Sequence, residues 1–370
     1  MTIKAGDILS AREAILLAEA EAVDLSPPIE IPPIPPEAHP NFTRDQKKHV
    51  ELIENIQKLK RERKAIILAH NYMPKDIQDI ADVVGDSLLL AQKGKESNAT
   101  VLVEASVRFM QDILAVMKKP HQTVLAPDLG ALCSLAAHAK PEKVLEWKEA
   151  YPDGIVISYV NTDIRIKAIS DYCCASANSP KVIRYATIHH PDVPILFLPD
   201  VYLGLYAADI LKKAGESIDR LWLMMGACHV HDRIKPSHVE EELRKNPGAA
   251  VVAHSECSCV SSCIQKIASG KTPEALMQIR STQGMIDFVR NTPSDTVIMA
   301  TEVGNIYPIE KAIPGKRIIP ASKEAICAFM KQNTLEKVYA SLRDLKYEIT
   351  VDRELAERAR IPIEKMLAIV

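Results

Sequence analysis

Residues 65–72 read AIILAHNY, 154–162 read GIVISYVNT and 249–257 read AAVVAHSEC. Each is a short run of β-branched and apolar residues that stops abruptly at a His or Tyr. Another group able to donate, accept or transfer a proton follows within two residues. Three such endings indicate a threefold internal repeat. Ligands of α/β folds bind at the carboxyl ends of strands, so three ends arriving at one place would build an active site. A single polar strand end means little, because strands often end where they meet water. Three of them, offering His70 and Tyr72, Tyr159 and Asn161, and His254 and Glu256, favour the functional reading.

Outward from these runs, further strand-like stretches occur at 100–103, 123–126, 195–198, 221–225, 296–300 and 317–319, with helical patterns between most of them. That alternation argues for parallel sheets covered on both faces. The nine runs fall into three groups of three, which predicts an α/β fold: three similar αβα sandwich domains with parallel sheets around a pseudo-threefold axis. The expected spans are 64–146, 147–233 and 234–345, followed by a closing helix within 346–370. Residues 1–63 form the lead-in. An amphipathic helix is expected over the first 24 residues, through Ile8, Ile15, Leu16 and Leu17. Seven prolines between Ser26 and Pro40 predict an extended strap. A helix from about Arg44 to Arg63 is expected to lay Val50, Ile53, Ile56 and Leu59 on the body.

With 370 residues, 47% of them hydrophobic, the chain can bury a sizeable core. A formal net charge of -2 lacks the basic excess of a nucleic-acid binder, so small molecules are the expected partners. No apolar run is long enough to span a bilayer, and acidic residues interrupt the N-terminal apolar pattern, so neither an anchor nor a signal peptide is expected. The eight cysteines are then expected in a reducing cytoplasm, where metal binding or catalysis explains them better than disulfides.

Cys133, Cys228 and Cys327 each follow the third run of their unit. A lone cysteine is usually a small buried hydrophobe, but equivalent placement changes that. Three thiolates converging on one axis suit an iron-sulfur cluster with one iron free of protein ligands, able to act as a Lewis acid. Cys173 and Cys174 are adjacent, point in different directions and read as packing. Cys257, Cys259 and Cys263 form a dense cluster whose spacing matches no usual zinc pattern.

The ordered motifs LAHNY, IQDIADVVGDSL, PDLGALCSLA, YVNT, SDYCCASAN, FLPD, GACHVH, AHSEC, RSTQGMI, ATEVG and CAFMKQNTLEKV resemble the quinolinate synthase family of NAD biosynthesis. The resemblance runs from about Pro32 to the C-terminus. It implies three homologous αβα domains and one 4Fe-4S cluster held by three cysteines, and Cys133, Cys228 and Cys327 fall on the ligand positions. It further implies condensation of iminoaspartate with dihydroxyacetone phosphate to quinolinate, and a functional link to an iminoaspartate-producing aspartate oxidase or dehydrogenase. His70, Tyr72, Tyr159, Asn161, His231, His254, Glu256, Ser87, Ser176, Ser281 and Thr282 fall on active-site positions.

Residue type suggests roles. Tyr72, His254 and Glu256 can move protons, and two-residue spacing in a strand would let Glu256 orient His254. Ser87, Ser176, Ser281 and Thr282 stand at expected helix starts, where they either bind anions or act as plain caps. Arg108 departs from the family pattern and has two readings, an anion contact or a pair with Glu104. Asn71 and the longer segment after Cys257 also depart. Two rivals remain: a zinc-dependent hydrolase using His229 and His231, and a non-catalytic iron-sulfur redox sensor.

Overall fold

The computed structural model describes residues 2–10, 24–39 and 42–369. Among them thirteen strands form three sheets: β1 (Thr2–Lys4), β2 (Ala65–His70), β3 (Val83–Gly85), β4 (Val101–Ala105), β5 (Thr123–Leu125), β6 (Ile155–Tyr159), β7 (Tyr172–Cys174), β8 (Ile195–Leu198), β9 (Leu221–Met224), β10 (Ala250–His254), β11 (Met277–Arg280), β12 (Thr296–Ala300) and β13 (Arg317–Pro320). The orders are β3-β2-β4-β5, β7-β6-β8-β9-β1 and β11-β10-β12-β13. All pairings are parallel except that of β1 with β9. Each sheet therefore places its first long strand second in order, with the next strand in sequence on its outer edge. The fold is α/β, with three repeated αβα sandwiches.

Four of these strands were not expected from the sequence. Three of them, β3, β7 and β11, are the equivalent edge of each sheet, only three or four residues long and paired on one side. Runs that short carry too few alternations to register as a period. The fourth, β1, replaces the start of the expected N-terminal helix, and the described helix there is Ala5–Ser10. Ile15, Leu16 and Leu17 lie outside the described residues.

The long first strands are apolar on both faces because both are covered. In the third sheet Val251, Ala253, Ile279 and Ile298 join one core cluster, while Val252, Met285, Phe288 and Met299 join another on the opposite face. A larger cluster is shared by the first two sheets, through Ile67, Val103, Ile157 and Phe197. Leu25, Ile29 and Ile31 of the strap pack against it, and Gln332 Nε2 donates to the Pro33 carbonyl at 2.9 Å.

Helix Gln46–Arg63 begins where the Asp45 side chain accepts the Lys48 N–H and ends at Lys64 with φ 49°, its last turn carrying Lys60, Arg61 and Arg63. Ile56 is buried and Ile53 and Leu59 pack on the core, but Val50 is exposed. A strict three-residue spacing precesses about 60° per step around an α-helix, so Val50 has rotated off the stripe and Leu52 takes its place. The closing helix Arg353–Ala368 docks beside β7, where Asn178 Nδ2 donates to the Met366 and Ile369 carbonyls at 2.9 and 2.6 Å.

Candidate active site

The carboxyl ends of the three sheets face one cavity. The first contributes His70, Tyr72, Ser87 and Cys133; the second Tyr159, Asn161, Ser176, Cys228 and His231; the third His254, Glu256, Thr282 and Cys327. Of the residues that the resemblance places in the active site, Ser281 is not in the lining. It is the N-cap of helix Thr282–Asn291, its hydroxyl accepting the Gly284 N–H at 3.2 Å. Ser87 and Thr282 are the first residues of their helices, whereas Ser176 lies in a turn ahead of helix Ser179–His189.

Glu256 is the hub of the polar network, with partners other than the expected one. Strand β10 ends at His254 and the chain turns there, so Glu256 does not continue the strand. Its Oε2 lies 3.2 Å from His231 Nδ1, its Oε1 accepts from the Tyr159 hydroxyl, and His254 Nδ1 is more distant at 3.9 Å. His254 instead stacks on His231, with centroids 4.7 Å apart and planes at 17°. Burial would raise the Glu256 pKa, but His231, His254 and the Tyr159 hydroxyl outweigh it and hold the carboxylate ionised.

The imidazoles are the opposite case. Burial, reinforced by neighbouring imidazoles, pushes His70 and His254 down to about 3, leaving both neutral. His70 Nδ1 accepts the Tyr72 N–H at 3.2 Å, which places the ring proton on Nε2. The Tyr72 hydroxyl lies 2.9 Å from Thr301 Oγ1 and 3.4 Å from both His231 Nε2 and Thr282 Oγ1. Burial and the Glu256 charge raise its pKa and keep it protonated. Among the described residues no Lys or Arg lines the cavity, so anions there meet helix N-termini, hydroxyls and imidazoles.

Cys133, Cys228 and Cys327 line this cavity as free thiols. Burial raises all three, Cys133 to about 12 and Cys327 to about 11; Cys327 adds to the rise at Cys133, and Cys133 and Cys327 both add to that at Cys228. Unligated, they would stay neutral; a polynuclear cation is what would hold them as thiolates. The three sulfurs are not within 4.8 Å of one another. Thiolates about 2.3 Å from one tetrahedral zinc would be closer than that, whereas a multi-iron cluster spreads its ligands wider. The donor set is therefore not that of a single zinc ion, and three thiols on one cavity are ligands of the kind a multi-iron cluster takes. Among the described residues, the group tight enough for a single ion is Cys228, His231 and Glu256. His229 is outside that group; its Nδ1 lies 2.6 Å from Ser134 Oγ and its Nε2 is buried without a hydrogen-bond partner.

The remaining cysteines pack. Cys173 and Cys174 are buried in β7, and Cys257 donates to the Ala300 carbonyl at 3.0 Å within a buried group that includes Cys259 and Cys263. Arg108 does not pair with Glu104: its Nε pairs with Asp112 at 2.7 Å one helical turn on, and it is not among the residues lining the cavity. Glu104 is left buried with both carboxyl oxygens unpartnered.

Several structural supports had no sequence signal. Lys167 is fully buried and donates to the Val160 and Thr162 carbonyls at 2.8 and 2.6 Å, bracing the loop that carries Asn161. Thr301 and Glu302 follow β12, and Glu302 lines the cavity. Both stand in the ATEVG motif, whose residue types alone do not reveal the contacts they make.

The family model described as quinolinate synthetase A protein matches residues 54–368. This chain belongs to that family. It is 42% identical over 316 residues to a quinolinate synthase of Pyrobaculum aerophilum, covering 85% of this chain and 98% of that protein. A quinolinate synthase of Thermus thermophilus is 41% identical over 318 residues, covering 86% and 97%. That of Desulforudis audaxviator is 41% identical over 320 residues, covering 86% and 98%. The three cavity-lining cysteines and the Tyr72, His231 and Glu256 network all lie inside the segment matched by the quinolinate synthetase A model. Among the described residues no helix is long and apolar enough to cross a membrane.

Proposed function

We propose that the chain condenses iminoaspartate with dihydroxyacetone phosphate to quinolinate, releasing phosphate and water, in the de novo synthesis of NAD. Cys133, Cys228 and Cys327 would hold one 4Fe-4S cluster. The observation that carries this reading is the convergence of three free thiols, one from each sheet's loops, on a cavity that also holds Tyr72, Tyr159, His231, His254 and Glu256. When bound, the cluster supplies a Lewis acid through the iron that lacks a protein ligand.

The protein's own groups account for the rest. His70 presents a neutral Nε2–H, and Ser87, Ser176, Asn161 and Thr282 add small polar donors, two of them at helix N-termini where carboxylate and phosphate are favoured. The protonated Tyr72 hydroxyl, held by Thr301, Thr282 and His231, can exchange a proton with a substrate oxygen or carbon, and His231 can return it. Glu256 holds Tyr159 and His231 in place and keeps a negative charge where imine and hydroxyl protons must leave. Ser281 acts through its cap, not through the cavity.

The domain spans 64–146, 147–233 and 234–345, with lead-in 1–63 and closing segment 346–370, belong to the same proposal. So do a reducing cytoplasmic setting, in keeping with eight free cysteines, and supply of iminoaspartate by an aspartate oxidase or dehydrogenase. Cys228→Ala tests the ligand assignment. The variant is expected to fold and to lose bound iron and sulfide after anaerobic reconstitution. Full iron, sulfide and turnover in that variant would remove Cys228 from the ligand set.

A further inference from the structure

Lys331 and Glu302 form an ion pair at 2.9 Å with side chains 3% and 0% exposed. Removing two charges from water is unfavourable unless each finds further partners. Both do. Glu302 Oε1 also accepts the Cys327 N–H at 3.1 Å, and Oε2 accepts the Gly304 N–H at 2.6 Å. Lys331 Nζ donates to the carbonyl oxygen of Tyr72. One pair thus ties the backbone of Cys327 to the backbone of Tyr72, two residues from different sheets that line the same cavity.

The packing leaves no slack around this pair. A Cβ at Gly304 would stand 2.7 Å from Glu302 Oε2, 3.0 Å from Lys331 Nζ and 3.0 Å from the Tyr72 carbonyl carbon. Gly304 is there because the two charges and the Tyr72 backbone must approach the same point. The Gly304 carbonyl in turn accepts from Gln78 Nε2 at 3.2 Å, whose same nitrogen holds the Asn71 and Met73 carbonyls on either side of Tyr72.

We propose that the Lys331 and Glu302 pair is a positioning clamp that sets the Tyr72 hydroxyl relative to Cys327. The inference deepens the proposed function and rests on it for its kinetic arm. Glu302 itself borders the cavity, but the pair acts as a clamp through Tyr72 and Cys327.

The test uses the full chain carrying 3-fluorotyrosine at position 72, in parent, in the double variant Glu302→Gln/Lys331→Met and in Gly304→Ala. The double variant removes both charges, so no unpaired ion stays buried. The second variant keeps both charges and crowds the same atoms. Metal-free protein is read by ¹⁹F NMR, and reconstituted protein by iron and sulfide content, kcat and KM. The clamp predicts a shifted or broadened fluorine line in each variant that folds. It also predicts parent-like iron and sulfide, a kcat lower by about 100-fold and a KM within about threefold in the double variant, as a misplacement on the order of 1 Å would cause. A parent-like fluorine line together with parent kcat in either folded variant would overturn the proposal. If the unlabelled parent forms no quinolinate, the functional reading fails separately, and the fluorine line alone decides the clamp.

Discussion

Glu104 is a carboxyl group in the middle of a core, where the nearby Ser106 hydroxyl only partly offsets its burial. It is 1% exposed, and burial pushes its pKa from 4.5 up to about 8. Below pH 4.5 the group is neutral in folded and unfolded chains alike and costs nothing. Above that, the unfolded chain releases the proton while the folded chain retains it, so stability falls as pH rises until the folded group ionises near 8. The full loss is on the order of 4–5 kcal/mol as an upper bound. Glu104→Gln removes the titration. Its melting temperature relative to the parent is expected to rise by several degrees between pH 5 and pH 8.5, read by differential scanning fluorimetry. An unchanged difference across that range would mean that Glu104 finds a partner in solution. The sequence suggested one, Arg108, but Arg108 lies on the next helix and reaches Asp112 a turn away. The pairing of Glu256 with His231 in place of His254 has the same origin. Spacing along the chain predicts partners only while the chain stays straight, and here it turns after β10.

Helices in this fold serve the site through their starts, and two neighbouring residues separate support from chemistry. Ser281 caps helix Thr282–Asn291 and is absent from the lining, whereas Thr282 lines the cavity 3.4 Å from the Tyr72 hydroxyl. Ser281→Ala is therefore expected to cost about 1 kcal/mol of stability with turnover within twofold. Thr282→Val is expected to leave the melting temperature unchanged and lower kcat by about tenfold or more, since the lost hydroxyl is one of those around the Tyr72 hydroxyl in the cavity. Equal kinetic losses in the two variants would contradict that division. The long first strand of each unit was legible because three or more consecutive apolar residues run into a polar group. The edge strands β3, β7 and β11 were not, because three or four residues paired on one side leave no period to read. Lys167 and Lys331 were equally silent. Buried lysines that hold backbone carbonyls look like surface residues in a sequence, and only the carbonyls around them show otherwise.

Three sheets with the same strand order bring one thiol each to a shared cavity, and that arrangement is what the repeat of strand ends anticipated. The threefold pattern was readable because the chemistry recurs at equivalent points in each unit. The ties between units were not, since Tyr159 to Glu256, Tyr72 to Thr301 and Lys331 to Tyr72 each join residues far apart in the chain. The expected activity needs those thiols and that network working together. Its most direct test is quinolinate formation from iminoaspartate and dihydroxyacetone phosphate by anaerobically reconstituted protein of known iron and sulfide content. The expected result is one 4Fe-4S cluster per chain, with quinolinate formed in proportion to cluster content. Protein that carries a full cluster and yields no quinolinate, or forms quinolinate with no iron bound, would contradict it.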